Sequence, residues 1–409
     1  MKLLKSLTGL ALGFGLLAST ALAGELVLNS DQSDPAPKKA MEGLIADFEK
    51  ANPDIKVKWN NFDHEGYKSA IRNFLTADAP DVAAWYAGNR MAPFVNAKLF
   101  EDVSDVWKAN GLDDSLKSAA ASMTIDGKKW GVPYTYYQWG IYYNKDVYKK
   151  AGVSVPKNWA EFVANCEKIK AAGADCLTTG TKSLWPGAGI FDYIDMRTNG
   201  YEFHMDLTAG KVKWTDPKVK AAFAEWAKVV PYITANSAAI DYQDAATLLS
   251  QGKAANFVIG NFAVDNFMKG GMTKDNLGFM VFPEITPGVA RSEEAPTDTF
   301  HIPSGAKNKA DAKKFLAFIA SADEQTKMNE ILGQLPVNNK ATAKDDPYIK
   351  AGFEELSSAH ALAQFFDRDA PADMAKAGME GFQEFMSHPD HLDAILERLQ
   401  KVADKVYKQ

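Results

Sequence analysis

Cysteine is nearly absent: the 409-residue chain carries two, Cys166 and Cys176. With no histidine beside them they do not make a zinc site. In an oxidising compartment they read as one disulfide closing a short loop around the helix end at KAAGAD, with two buried free thiols as the alternative. Histidine is scarce as well, at six residues. There is no basic excess, since 46 Lys+Arg stand against 52 Asp+Glu for a net charge of −6. With no cluster of lysine and arginine either, this argues against nucleic acid or an anionic membrane as partner. Past the N-terminus no segment approaches the ~20 consecutive apolar residues of a membrane-spanning helix.

Catalytic signatures are missing too. There is no G-x-S-x-G elbow and no G-x-x-x-x-G-K-[ST] phosphate loop. His64-Glu65 opens like a zinc-protease helix, but Lys68 stands where the second histidine belongs. His388-Pro389-Asp390-His391 reads as a helix start, with Ser387 as N-cap and Pro389 in the first turn. The residues call for no metal, no cofactor and no catalytic set.

What is present begins with MKLLKSLTGLALGFGLLASTALA: Lys2 and Lys5, an apolar run, then Ala21-Leu22-Ala23 as a small-x-small cleavage site. That layout predicts a signal peptide over residues 1–23 and an exported, periplasmic chain starting near Gly24. ELVLNS, IKVKWN and PDVAAWY read as strands, separated by helical patterns from DPAPKKAM and from HEGYKSAI. The β-α-β-α-β order predicts a parallel sheet covered by helices. Ligands of such sheets bind beyond the carboxyl ends of the strands, here at Asp31-Gln32, at Asn61 to His64, and at Trp85 followed by Asn89-Arg90.

Aromatics make up 11% of the chain but crowd into WGVPYTYYQWGIYYNKD (130–146). Core packing accounts for part of such a run. A wall for a ligand with apolar and hydroxylated faces accounts for the rest, because C–H faces stack on rings and hydroxyls need Asp, Asn, Gln or Arg. Trp85, Tyr137, Trp139 and Trp185 are the candidate platforms, with Gln138 and Gly187 beside them. Trp59, Trp107, Trp214 and Trp226 fall in periodic strand or helix patterns and are expected in cores. Arg90 and Arg368 lie near expected site edges. Arg368 could clamp an anionic ligand group or pair with Asp367 or Asp369.

DGKKWGVPYTYYQWGIYYNKDVYKKAGVSVPKNWAEF (126–162), GKAANFVIGNF (252–262), and SGAKNKADAKKFLAFIASADEQ with GQLPVN (304–338) resemble the extracellular solute-binding proteins of sugar ABC transporters, the group that includes maltose-binding protein. Phe262 stands where that pattern usually has Trp. The resemblance implies an α/β, two-lobed type II fold, each lobe a mostly parallel sheet covered by helices and joined at a hinge. Residues 24–133 plus 297–335 would form one lobe and 134–296 plus 336–409 the other. The chain would cross between them near Pro133-Tyr134, Pro296-Thr297 and Leu335-Pro336. Its implied ligand is a sugar or sugar derivative, anionic or neutral, and the matching positions are Asp31, Gln32, Trp85, Asn89, Arg90, Trp185, Asn261 and Arg368; the residues read above add Asn61, His64, Tyr137, Gln138, Trp139 and Gly187 to the expected ligand-binding set. Its implied partner is a membrane permease, and the chain is expected to be a monomer. An exported carbohydrate-active enzyme, or a binder of polyamine or iron, are the rival readings.

Overall fold

The computed structural model describes residues 24–407, so the predicted signal peptide lies outside them. Two larger sheets are built from β1 (Gly24–Ser30), β2 (Ile55–Asn61), β3 (Val82–Tyr86), β4 (Val132–Tyr136), β5 (Trp139–Asn144), β6 (Asp175–Thr178), β7 (Ala254–Gly260), β8 (Leu277–Met280) and β9 (Thr297–His301). The first runs β2-β1-β3-β9-β4 and the second β8-β5-β7-β6. Each carries its own hydrophobic core. The first core draws buried residues from Leu26 to Tyr134 and from Phe300 to Val337. The second draws them from Tyr137 to Phe282 and from Tyr348 to Ala403. The protein is two-lobed.

Local chemistry explains the first lobe. The helix Pro35–Ala51 starts on a proline, whose fixed φ suits a first turn, and buries Ala40, Met41, Leu44 and Phe48 on one face. Asp63 caps the helix His64–Ala77 by accepting from the Gly66 amide at 2.9 Å, and Tyr67, Ile71 and Leu75 turn inward. β1 pairs in parallel with β2 and β3, so the ends of all three strands open on one edge.

The sheets are mixed where the sequence reading has them mostly parallel. β9 runs antiparallel to β3 and β4, and β5 runs antiparallel to β7 and β8; β6 and β7 are parallel. β9 returns from the second lobe and enters the first sheet at the edge where β1 to β3 end, so it must run against them. Side-by-side bonds join the first and last crossing segments: Tyr136 and Leu335 exchange N–H···O bonds of 3.1 and 3.0 Å.

The aromatic run divides between the lobes. Tyr134 belongs to the first core, Tyr137, Trp139 and Tyr142 to the second, and Tyr136 packs against a small cluster around Leu335. Trp107, Trp214 and Trp226 are fully enclosed in the cores and Trp59 is half-buried against the first, as their periodic settings imply. Cys166 and Cys176 are bonded, tying the helix Trp159–Ala171 to β6. Ser387 does not cap a new helix: it is the last residue of Ala372–Ser387, and a short turn at Pro389–His391 leads into Leu392–Val406.

Candidate functional site

Between the lobes lies a cavity of about 790 Å³. From the first lobe it is lined by Asp31 and Gln32 after β1, His64 at the head of its helix, Trp85 and Tyr86 on β3, and Asp298 on β9. The second lobe supplies Tyr137, Trp139, Trp185, Tyr242, Asn261, Phe262, Phe365, Asp367 and Arg368. The carboxyl-end rule therefore locates the first-lobe wall.

Trp185 opens a helix, Trp185–Asn199. This helix is buried from Pro186 to Arg197, and such a helix shows no polar face for periodicity to detect. Gly189 lets it lie on the Trp139 ring, because a Cβ there would stand 2.3 Å from Trp139 Cζ3. Trp139 is also stacked on Phe365 at 5.4 Å between centroids. Trp185, Tyr242 and Phe262 are only half-buried and lie within 5.4 to 5.9 Å of one another. They form the aromatic surface that the protein itself leaves open.

Opposite sits a charged group. Arg368 Nη1 donates to Asp298 Oδ1 at 2.8 Å, Nη2 donates to Tyr137 Oη at 3.2 Å, and the guanidinium lies 4.0 Å over the Tyr86 ring. Its partner is Asp298 rather than either neighbour in sequence. Asp31 Oδ2 pairs with His64 Nδ1 at 2.8 Å and accepts from Tyr86 Oη at 3.3 Å. Desolvation opposes charge on both members of the Asp31–His64 pair, but their mutual bond and attraction outweigh it. The carboxyl pKa is held down and the imidazole pKa is raised. Six polar atoms of the lining have no hydrogen-bond partner in the protein: Gln32 Oε1, Glu65 Oε1, Trp139 Nε1, Asn261 Oδ1, Asn266 Nδ2 and Arg368 Nε. Buried polar atoms of this kind are costly unless something pairs with them.

Of the residues singled out from sequence, the cavity brings together Asp31, Gln32, His64, Trp85, Tyr137, Trp139, Trp185, Asn261 and Arg368. Five lie off its wall. Asn61 is exposed and donates to the Gln32 carbonyl; Asn89 donates to the Asp369 carbonyl. Arg90 is buried behind Trp85, 3.8 Å from Asp367. Gln138 is enclosed against Gly352 and donates to the Tyr348 carbonyl, and Gly187 faces Met386, Thr181 and Phe382. Gln138 lies in the two-residue link between β4 and β5, and its side chain turns toward the helix Pro347–Ser357 and not into the cavity. Sequence reasoning missed Asp298 and Tyr242. Asp298 lies on a strand of TDTFH with no local signal, and it reaches the cleft only because β9 returns beside β3.

Beneath Arg368, a buried ionic network anchors its segment. Asp192 accepts from the Phe366 amide at 2.6 Å, His204 Nδ1 lies 2.9 Å from Asp195, and Arg197 donates to Glu293 at 2.7 Å. Desolvation pulls the His204 pKa down, but the Asp195 hydrogen bond and the charges of Asp192 and Asp195 raise it to about 9. Burial pushes Asp369 up to about 8. Away from the cleft, His388, Asp390 and His391 bring donor atoms within 4.8 Å of one another on the exposed surface.

Residues 32–326 match the family of bacterial extracellular solute-binding proteins. The chain belongs to that family. An uncharacterised ABC transporter extracellular-binding protein of Pyrococcus horikoshii is 28% identical over 329 residues, 78% of this chain and 74% of that one. The multiple sugar-binding protein of Streptococcus mutans is 25% identical over 335 residues, 78% of each chain. Among solved structures, the bacterial solute receptor AcbH, described as having an exclusive substrate preference for β-D-galactopyranose, superposes with a TM-score of 0.86. It is 29% identical and covers 94% of this chain and 100% of its own. A chitin oligosaccharide binding protein shares the fold at a TM-score of 0.86 and 22% identity, covering 95% of this chain and 100% of its own. Family membership agrees with an extracellular role, and among the described residues no helix is long and apolar enough to cross a membrane.

Proposed function

We propose that this protein captures a neutral sugar in the interlobe cleft and delivers it to the membrane permease of an ABC importer. The observation that carries the reading is the pairing of an open aromatic surface with unpartnered polar atoms around one cavity. Trp185, Tyr242 and Phe262 offer ring faces to sugar C–H groups, while Gln32, Asn261, Arg368 and the indole of Trp139 offer hydrogen bonds to hydroxyls. The sugar preferences stated for AcbH and the Streptococcus mutans protein point the same way.

The charges of the lining favour a neutral over an acidic ligand. Arg368 is already matched by Asp298, and Asp31 adds a second carboxylate to the same wall. An anionic sugar would meet pairs whose charges are already offset, Arg368 by Asp298 and Asp31 by His64. Asp31, Gln32, His64, Trp85, Tyr137, Trp139, Trp185, Asn261 and Arg368 are the assigned ligand-facing residues, with Asp298 and Tyr242 added.

The role is binding: ligand that touches both lobes shifts an open–closed equilibrium by its differential affinity. Export to the periplasm and action as a monomer complete the reading. A thermal-shift screen of the mature protein against neutral sugars, uronic acids, polyamines and iron tests it. A neutral sugar at ~100 times its Kd adds about 2.7 kcal/mol. A shift with uronic acids alone, or with none of the sugars, overturns it, and hydrolysis of a glycoside would reinstate the enzyme reading.

A further inference from the structure

The segment Phe365–Asp369 is rooted in the second lobe, where Phe366 packs against Phe191, Trp214 and Phe382. Its polar groups nonetheless engage the first lobe. Asp367 accepts from Lys68 Nζ at 2.6 Å, between positions 299 apart in the chain. Arg90 Nη2 stands 3.8 Å from the other carboxylate oxygen, and Asn89 donates to the Asp369 carbonyl at 3.1 Å. Lys68 belongs to the helix His64–Ala77, which Tyr67, Ile71 and Leu75 fasten to the first core. It is the residue that breaks the zinc-protease pattern after His64.

Lys68 does not line the cavity, whereas Asp367 does. The lysine side chain is 8% exposed and the aspartate 3%. At that burial solvent and salt screen the pair little, so its attraction acts in the lobe arrangement that brings the two groups together. The bridge joins a helix of the first lobe to a segment of the second through protein groups alone.

We propose that Lys68 is a positioning residue: with Arg90 it holds Asp367 at the cleft wall and clamps the second-lobe segment Phe365–Asp369 onto the first lobe, biasing the ligand-free protein toward closure. A contact made in only one of two states shifts their populations. A larger binding-competent fraction in turn raises apparent affinity in proportion. The affinity part of this inference rests on the sugar-binding reading; the conformational part does not.

The test uses the whole mature protein with Lys68→Met and Lys68→Arg, read by small-angle X-ray scattering without ligand and by stopped-flow binding of D-galactose. Lys68→Met is expected to enlarge the ligand-free radius of gyration and weaken affinity about tenfold, mostly through faster dissociation. Lys68→Arg, which keeps the charge, restores both. Identical scattering of wild type and Lys68→Met overturns the proposal, including the case where only the melting temperature drops, since a strut within a fixed structure would do that. If Lys68→Met does not fold, Asn89→Ala, which removes another contact of the same seam away from the cavity, is expected to show the same enlargement. Unchanged scattering there also overturns the proposal. If the wild type ignores D-galactose, the choice of sugar or the sugar reading fails, and scattering still decides the clamp.

Discussion

Tyr242 Oη donates to Asp34 Oδ2 at 2.7 Å, joining residues that start helices in opposite lobes. Asp34 precedes the helix Pro35–Ala51 and Tyr242 opens the helix Tyr242–Ser250. Both residues line the cavity, so this bond closes one side of the cleft. Tyr242→Phe keeps the ring that packs on Trp185 and Phe262 and removes only the hydroxyl. A hydrogen bond of this kind contributes about 1 kcal/mol, so dissociation of bound sugar is expected to quicken about fivefold. Stopped-flow kinetics checks this, with the association rate nearly unchanged.

The Arg368–Asp298 pair sets the charge preference of the cleft. Asp298→Asn removes the anion that offsets Arg368, so a uronic acid should gain binding while a neutral sugar weakens by about tenfold or more. Arg368→Ala should abolish measurable neutral-sugar binding, because it removes the donors and leaves Asp298 partly buried without its cation. Calorimetric titration of both variants with galactose and galacturonic acid checks the crossover. Equal losses for both ligands in Asp298→Asn would return the pair to a purely structural role.

The disulfide lies in the second core, away from the cavity lining. Replacing both Cys166 and Cys176 by alanine should cost about 2–3 kcal/mol of stability, the usual effect of opening a short loop. Sugar affinity should be unchanged. Denaturant unfolding with and without ligand separates the two effects.

His204 gives stability a pH dependence. Its folded pKa of about 9 exceeds the ordinary 6.5, so its contribution is fully present below pH 6.5 and is lost as pH rises through 9. Asp369, raised from 3.8 to about 8, acts in the same direction, since its protonated form is favoured only in the fold. Unfolding free energy should therefore fall between pH 6.5 and 9. His204→Asn should be less stable at pH 6 and show a flatter slope. Chemical denaturation at half-unit pH steps reads both.

Local patterning carried much of the fold. Tyr67, Ile71 and Leu75 lie on one face of a helix that Asp63 caps. The strands ending at Ser30, Asn61 and Tyr86 follow from alternation and turn residues. The edges of those strands led directly to Asp31, Gln32, His64 and Trp85. Trp185–Asn199 is not legible in the same way because a helix buried on all sides has no 3.6-residue contrast to read, and its Gly187 and Gly189 resemble loop residues until Trp139 is seen packed against the second.

What the sequence determined by itself is what short-range chemistry determines: the crossover order of the first lobe, the aromatic run and the likeness to one family. What only the tertiary structure decided is partnership. Arg368 pairs with Asp298, 70 positions away, and Lys68 reaches Asp367 across 299, because strand β9 and the segment Phe365–Asp369 each return to a seam laid down much earlier in the chain. Ion pairs depend on distance in space, and no spacing in the sequence encodes that distance once the chain has crossed between lobes three times.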